Sequence, residues 1–227
     1  MEKPLEFERE RELMVEQQLA GRGLYTPRLL EAMREVPRHR FVPPGYRHLA
    51  YTDGPLPIGN GQTISQPYMV ALMTDLLELQ GDEKVLEVGT GSGYQAAVLA
   101  QMARQVYTIE RHAALAEKAR QVFDELGITN TTVLVGDGSL GAPEYAPFEG
   151  IIVTAAAPRV PRPLFDQLAQ DGRLVLPVGG EFGQHLQVWR KEGKSFRSRA
   201  VIPVAFVPLR GEFGWSSSEW TENEKRL

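Results

Sequence analysis

Val85-Leu86-Glu87-Val88-Gly89-Thr90-Gly91-Ser92-Gly93 decides how this chain is read. Three apolar residues flank Glu87, and three glycines then fall at every second position. Val85 to Val88 read as a short buried strand and Gln95 to Met102 as a helix. A strand, a glycine turn and a helix make a nucleotide-binding corner. Glycine lets the main chain turn sharply and lets a ligand approach it, and the new helix offers unpaired N–H groups. Structural hairpin turns also contain glycines, but the turn favours cofactor binding.

The spacing separates two ligand classes. A dinucleotide fingerprint runs G-x-G-x-x-G and seats a pyrophosphate on a helix N-terminus. This chain reads E-x-G-x-G-x-G, with no basic residue in the turn and an acid, Glu87, two residues before it. A negative group there disfavours a pyrophosphate and suits a cationic ligand such as S-adenosylmethionine, which carries a sulfonium and an ammonium. Glu87, Gly89, Gly91 and Gly93 are therefore candidate cofactor-binding residues. A nicotinamide dehydrogenase is disfavoured by the same spacing.

Two further strand ends follow in order. Gln105 to Glu110 reads as a second strand ending in an acid. Glu110 lies about twenty residues past the turn, where a ribose-binding carboxylate is expected; a solvated strand end is the alternative. Val133 to Val135 reads as a third strand, ending in Gly136-Asp137-Gly138. Asp137 is placed to accept a hydrogen bond from an adenine amino group, or simply to stabilise a turn.

Composition sets bounds. At 227 residues, 42% of them hydrophobic and 24% charged, the chain has length for a sizeable core. A net charge of −4 does not suggest a broad nucleic-acid-binding face. There is no cysteine, which excludes disulfides, a thiolate nucleophile and cysteine metal sites. His39, His48, His112 and His185 show no metal-ligand spacing, so no metal is expected. The charged start from Glu2 reads as no secretory signal, and no apolar run approaches the roughly 18 residues of a membrane span. A cytoplasmic protein with no membrane partner is expected. Nothing here sets the oligomeric state.

The expected fold is α/β, Rossmann-like, with an N-terminal helical extension and a C-terminal strand pair. Residues 5–20 read as an amphipathic helix. Thr26-Pro27 reads as an N-cap and first-turn proline for a helix ending near Val36. Residues 41–66, rich in Gly, Pro and Tyr, read as a long segment with little regular structure, often functional in a compact domain. Pro67 opens a helix through Leu79. Residues 84–178 alternate strands and helices, which argues a parallel sheet; Ile151 to Val153 and Arg173 to Leu176 are its fourth and fifth strands. Leu186 to Arg190 and Ala200 to Val207 read as a closing pair, with Glu192-Gly193 between them. In this division 1–80 carries helices and a substrate loop, 81–210 the cofactor-binding core, and 211–227 a polar tail that either docks by Phe213, Trp215 and Trp220 or moves, all within one structural domain.

The segment before the glycine turn carries a resemblance. Ile58-Gly59-Asn60-Gly61-Gln62-Thr63-Ile64-Ser65-Gln66-Pro67 resembles the signature of protein-L-isoaspartate (D-aspartate) O-methyltransferases. The likeness continues through Gly89 to Gly93, Gly136 to Gly138, Ala155 to Pro158, Leu176 to Gly179 and Phe206 to Leu209, and so spans roughly residues 10–210. That family moves a methyl group from S-adenosylmethionine, leaving S-adenosylhomocysteine, to the α-carboxyl of L-isoaspartyl residues in damaged proteins. The ester then cyclises to a succinimide, which reopens partly to normal aspartate. The resemblance makes Ser65 the active-site residue, in contact with the substrate carboxylate. It also places Ile64, Ser65, Gly89, Glu110, Asp137 and Gly138 around the cofactor, and Val207 to Leu209 as a closure over cofactor and substrate, so that Val207 and Leu209 count as substrate-binding.

Carboxyl methylation needs no conventional base, because a carboxylate with a pKa near ~4 is already ionised at pH 7. Ser65 would then position rather than attack. Its alternative role, shared with Gln66, is to cap the helix that follows. Gln62 and Thr63 either bond substrate backbone or stabilise their turn. Ala155 to Pro158 either belong to a peptide site or are close packing, and Arg210 either meets a carboxylate or is solvated. A methyltransferase for another acceptor would share the glycine turn but would not need residues 53–67 in this form. A noncatalytic isoaspartyl-binding module would keep both.

Overall fold

The computed structural model describes residues 4–181, 183–216 and 218–220. Its centre is strand β3 (Lys84–Val88), in which Val85, Leu86, Glu87 and Val88 are all buried. Apolar residues on both faces of one strand require cover on both sides. One face packs against helices α2 (Pro27–Glu35), α3 (Pro67–Asp75), α4 (Tyr94–Met102) and α5 (Ala113–Leu126), through Leu29, Met33, Met73, Leu99 and Phe123. The other face, with Leu86, Ile109, Phe148 and Leu174, packs on Leu164 of the short helix α6 (Arg162–Asp166). Each such fully buried side chain contributes about 1.5–3 kcal/mol.

Strands β4 (Gln105–Glu110), β5 (Thr131–Val135), β6 (Phe148–Val153) and β7 (Leu168–Gly180) join β3 in one sheet. With β8 (Gly183–Glu192) and β9 (Ser195–Val204) the order is β5-β4-β3-β6-β7-β8-β9. The first five strands pair in parallel, and β8 and β9 close the sheet antiparallel. From β3 the chain passes outward to β4 and β5, then returns to place β6 on the other side of β3. A crevice opens at the carboxyl ends of strands where the order reverses in this way. Residues 89–93, 110, 136–138 and 154 all follow strand ends at that edge.

Four readings of the sequence change in detail. The expected loop at 41–66 contains a two-stranded hairpin, β1 (Leu56–Gly59) and β2 (Gln62–Ile64), paired antiparallel. Its turn bears Asn60 at φ 53°, the left-handed geometry that Asn-Gly hairpins adopt. Helix α3 ends at Asp75, and turns carry the chain to Leu79, with Glu78 at a positive φ of 53°. Helix α1 (Pro4–Leu13) runs on as a π-helical stretch over Met14–Leu19 and a 3₁₀ turn over Ala20–Arg22, ended by left-handed Gly23. The π turn seats Met14, Val15 and Leu19 in the core together. Thr26 stands at the N-cap of α2, but its hydroxyl bonds Asp75 Oδ1 at 2.5 Å instead of the helix backbone.

The expected tail is docked as far as it is described, and residues 217 and 221–227 of it lie outside the described residues. Leu209 N donates to Ala156 O at 2.8 Å, Trp215 N to Leu209 O at 2.8 Å, and Glu212 N to Asp137 Oδ2 at 2.7 Å. Among the described residues no helix is long and apolar enough to cross a membrane.

A polar chain runs through the buried centre of the sheet. Thr108 Oγ1 donates to Glu87 Oε2 at 2.5 Å and lies 2.6 Å from Thr90 Oγ1. Glu87 is fully buried and its Oε1 has no hydrogen-bond partner. Burial therefore pushes its carboxyl up to about 8, against a smaller opposing contribution from Thr108. The folded state holds the proton more tightly than the unfolded chain, so stability is full below about pH 4.5 and is lost as pH rises through about 8. Glu87→Gln keeps a neutral side chain of the same shape. Thermal and urea unfolding without ligand should find it more stable than the parent by about 2–4 kcal/mol at pH 8. The gap should close near pH 4.5. A gap that does not change with pH would rule out the protonated carboxyl.

Candidate active site

The turn after β3 is held open by side chains from its neighbours. Gly89 has φ 99°, and a Cβ there would collide with Thr154 Oγ1, which itself donates to Gly89 O at 2.7 Å. Only glycine fits a left-handed position pressed against a neighbouring side chain. Glu110, at the end of β4, accepts from Gly91 N at 2.9 Å through Oε2 and from His112 N at 2.8 Å through Oε1. Its carboxylate is thus fixed at the crevice floor with lone pairs to spare for a further donor. Gly93 serves differently. A Cβ there would meet Phe123 at 2.9 Å, so it permits close packing of α4 against α5 and does not line the crevice.

The crevice divides into adjoining cavities. The first is lined by Gln62, Thr63, Ile64, Ser65, Gly89, Gly91 and Glu110. A neighbouring one is lined by Ile109, Glu110, Gly138, Pro208 and Leu209 among others, mostly apolar walls of the kind a flat purine ring requires. The third is larger, about 370 Å³, and apolar along residues 202–207, with Tyr68, Met69 and Pro55 opposite. Four residues, Thr63, Ser65, Thr154 and Val207, line both the first cavity and the large one. They form the wall through which a group would pass between two bound molecules.

Ten of the thirteen site residues expected from sequence line these cavities. Gln62, Thr63, Ile64, Ser65, Gly89, Gly91, Glu110, Gly138, Val207 and Leu209 are brought together. Leu209 lies with the apolar cofactor-side cavity rather than the large one. Glu87 lies beneath the crevice floor as part of the buried polar chain, not in the lining, with its carboxyl pushed up by burial. Asp137 does turn work. It accepts from Ser139 N at 2.9 Å and Ser139 Oγ at 2.7 Å, besides holding Glu212 of the tail. Helix α3 begins behind Gln66, and no side chain caps it, so Ser65 is not occupied by capping. Ala156 and Ala157 are fully buried and hydrogen-bonded to Val207, Leu209 and Pro177, whereas Ala155 lines the crevice. Arg210 donates to Ser216 O at 2.6 Å.

Sequence reasoning did not single out Thr154, Thr90, Arg22, Tyr68 or Arg38. Thr154 follows β6 at the switch point of the sheet, a position that marks it once strand order is known. Arg38 is fully buried, donates from Nε to Ala50 O at 2.7 Å, and lies 4.9 Å from the Tyr94 ring centroid. It ties down the segment leading to the hairpin.

Residues 8–214 match the family model described as protein-L-isoaspartate(D-aspartate) O-methyltransferase. A protein-L-isoaspartate O-methyltransferase of Methanoregula boonei is 54% identical over 208 residues, covering 92% of this chain and 96% of its own length. One of Geobacter metallireducens is 54% identical over 216 residues, covering 95% and 100%. Among solved structures, a protein-L-isoaspartate O-methyltransferase aligns with a TM-score of 0.81 and 26% identity over 92% of this chain and 67% of its own. A Plasmodium falciparum protein assigned to the same activity, solved with S-adenosyl-L-homocysteine, aligns with a TM-score of 0.76 and 25% identity, covering 88% and 98%. With a glycine crevice at the switch point, a Thr-Ile-Ser hairpin on its rim and this match along nearly its whole length, the chain belongs to the protein-L-isoaspartate O-methyltransferase family.

Proposed function

We propose that this chain repairs damaged proteins by moving a methyl group from S-adenosylmethionine to the α-carboxyl of L-isoaspartyl residues. The observation that carries the reading is the shared wall of Thr63, Ser65, Thr154 and Val207 between a polar crevice and a peptide-sized apolar cavity. Transfer between two molecules requires them to meet end to end, and this wall is where the two cavities do so.

The crevice suits the cofactor. Glu110 offers acceptors for the ribose hydroxyls, Ile109 and Leu209 offer apolar walls for the adenine, and Gly89 and Gly91 leave the main chain accessible to the methionine part. When bound, S-adenosylmethionine supplies a methyl group already activated by its sulfonium. The residues of this chain then have one task, which is alignment. Ser65 Oγ donates to one oxygen of the acceptor carboxylate and turns the other toward the methyl carbon, and Thr63 and Val207 fix the peptide on either side. Alignment of this kind lowers a barrier by about 7–11 kcal/mol in favourable cases. No proton needs to be removed, so the absence of a base from these roles is consistent with the chemistry. Protein is the acceptor in this reading, and nucleic acid is not.

The defining experiment measures base-labile methyl transfer from labelled S-adenosylmethionine to an isoaspartyl peptide and to its aspartyl twin. Transfer to the first alone is expected; transfer to neither, with cofactor binding intact, would overturn the reading. Ser65→Ala should retain the parent unfolding curve and cofactor Kd while kcat/KM falls about 10- to 100-fold, the value of one hydrogen bond to a charged group. An unchanged kcat/KM would remove Ser65 from its role. Glu110→Ala should raise the Kd for S-adenosylhomocysteine about 10-fold or more in a calorimetric titration, and an unchanged Kd would remove Glu110 from the cofactor site.

A further inference from the structure

Arg22 is the sole charged side chain among the described residues that line the large cavity. Its setting is built rather than incidental. The 3₁₀ turn Ala20–Arg22 ends at left-handed Gly23, which fixes the direction in which the side chain leaves the backbone. The guanidinium carbon lies 3.5 Å from the centroid of the Tyr68 ring, and Tyr68 lines the same cavity. Nη1 meets Asp53 Oδ2 at 2.9 Å. Asp53 does not line the cavity, and its segment is held in turn by Gln66 Nε2 on Asp53 O at 3.3 Å and by buried Arg38 on Ala50 O. An aromatic face and a carboxylate thus set the plane of the guanidinium, and four of its five N–H donors remain for another partner. With 43% of the side chain exposed, it is reachable.

Resting on the proposed repair activity, we propose that Arg22 is a specificity-determining residue that recognises a second carboxylate on the acceptor chain, one flanking the isoaspartyl residue. The methylated carboxylate is a poor candidate for this partner. It must reach the shared wall at Ser65 and Thr154, whereas Arg22 lines the large cavity and not the first. A guanidinium fork would also hold the electron pair that has to attack the methyl carbon. A flanking carboxylate carries neither objection. It arises in two ways, from an aspartate or glutamate side chain or from a nearby chain terminus, and both present the same planar, two-oxygen anion that arginine matches. The remaining walls, Pro55, Met69, Ile202 and Phe206, are apolar and sequence-tolerant, so the cation adds a preference to a cavity otherwise indifferent to charge.

The test uses the full chain and amidated isoaspartyl peptides of one length. One peptide is neutral throughout. One set carries a single glutamate moved through the flanking positions, and another ends in a free carboxylate at varied distance. The quantity compared is the ratio of kcat/KM for each acidic peptide to that for the neutral one. In the parent, at least one position in either set should give a ratio of about 3–10, set mainly by KM and declining with added salt, as expected of a partly exposed charge pair. In Arg22→Gln that ratio should fall to near one. Response in the glutamate set alone, or in the free-terminus set alone, supports the proposal and identifies the source of the carboxylate. A parent ratio near one at every position overturns it, as does a ratio that survives Arg22→Gln. Failure of the repair reading is a different result, in which the parent methylates none of the isoaspartyl peptides, neutral or acidic.

Discussion

The main chain at Gly89 to Gly93 is gripped from two sides. Thr154 at the end of β6 donates to Gly89 O, and Glu110 at the end of β4 accepts from Gly91 N. Both partners stand on strands that flank β3, so the turn takes its shape from the sheet and not from its own sequence alone. This matters because a glycine-rich turn is entropically costly to order. Once the flanking strands pair, the turn is fixed in the form that admits a ligand, and little further ordering is needed on binding.

The same sheet order explains how two cavities come to share a wall. The switch between β3 and β6 opens the cofactor crevice. The hairpin of β1 and β2 brings Thr63 and Ser65 to its rim from the N-terminal side, and the chain leaving β9 brings Val207 from the C-terminal side. Three parts of the sequence far apart in number therefore meet at the shared wall.

Much of this was legible in the residues. Strand β4 runs from Gln105 to Glu110 as its pattern indicates, and the turn, Glu110 and Gly138 stand where the spacing puts them. The residues that were harder to read are those whose roles depend on partners distant in sequence. Glu87 reads as a charge near a cation, yet it is fully buried beside Thr108, where burial pushes its carboxyl up. Asp137 reads as an adenine acceptor or a turn residue, and its bonds from Ser139 and from Glu212, 75 residues on, show the turn role. Thr154 and Arg22 belong to no local motif; their meaning comes from strand order and from a ring and a carboxylate supplied by other segments. The hairpin at 56–64 was hidden because its strands are only four and three residues long.

The stretch that leaves β9 has one more property. Residues 202–207 form a wall of the large cavity, and Val207, Pro208 and Leu209 continue along the cofactor side, pinned by two hydrogen bonds to Ala156. One uninterrupted ribbon of main chain thus lines all the adjoining cavities. Whatever ordering of that ribbon the first molecule brings about is already done when the second arrives. Any such effect is reciprocal, since linkage gives each ligand the same influence on the other. In the proposed reading, cofactor and acceptor are neighbours along a single piece of backbone, with no message to carry across the protein.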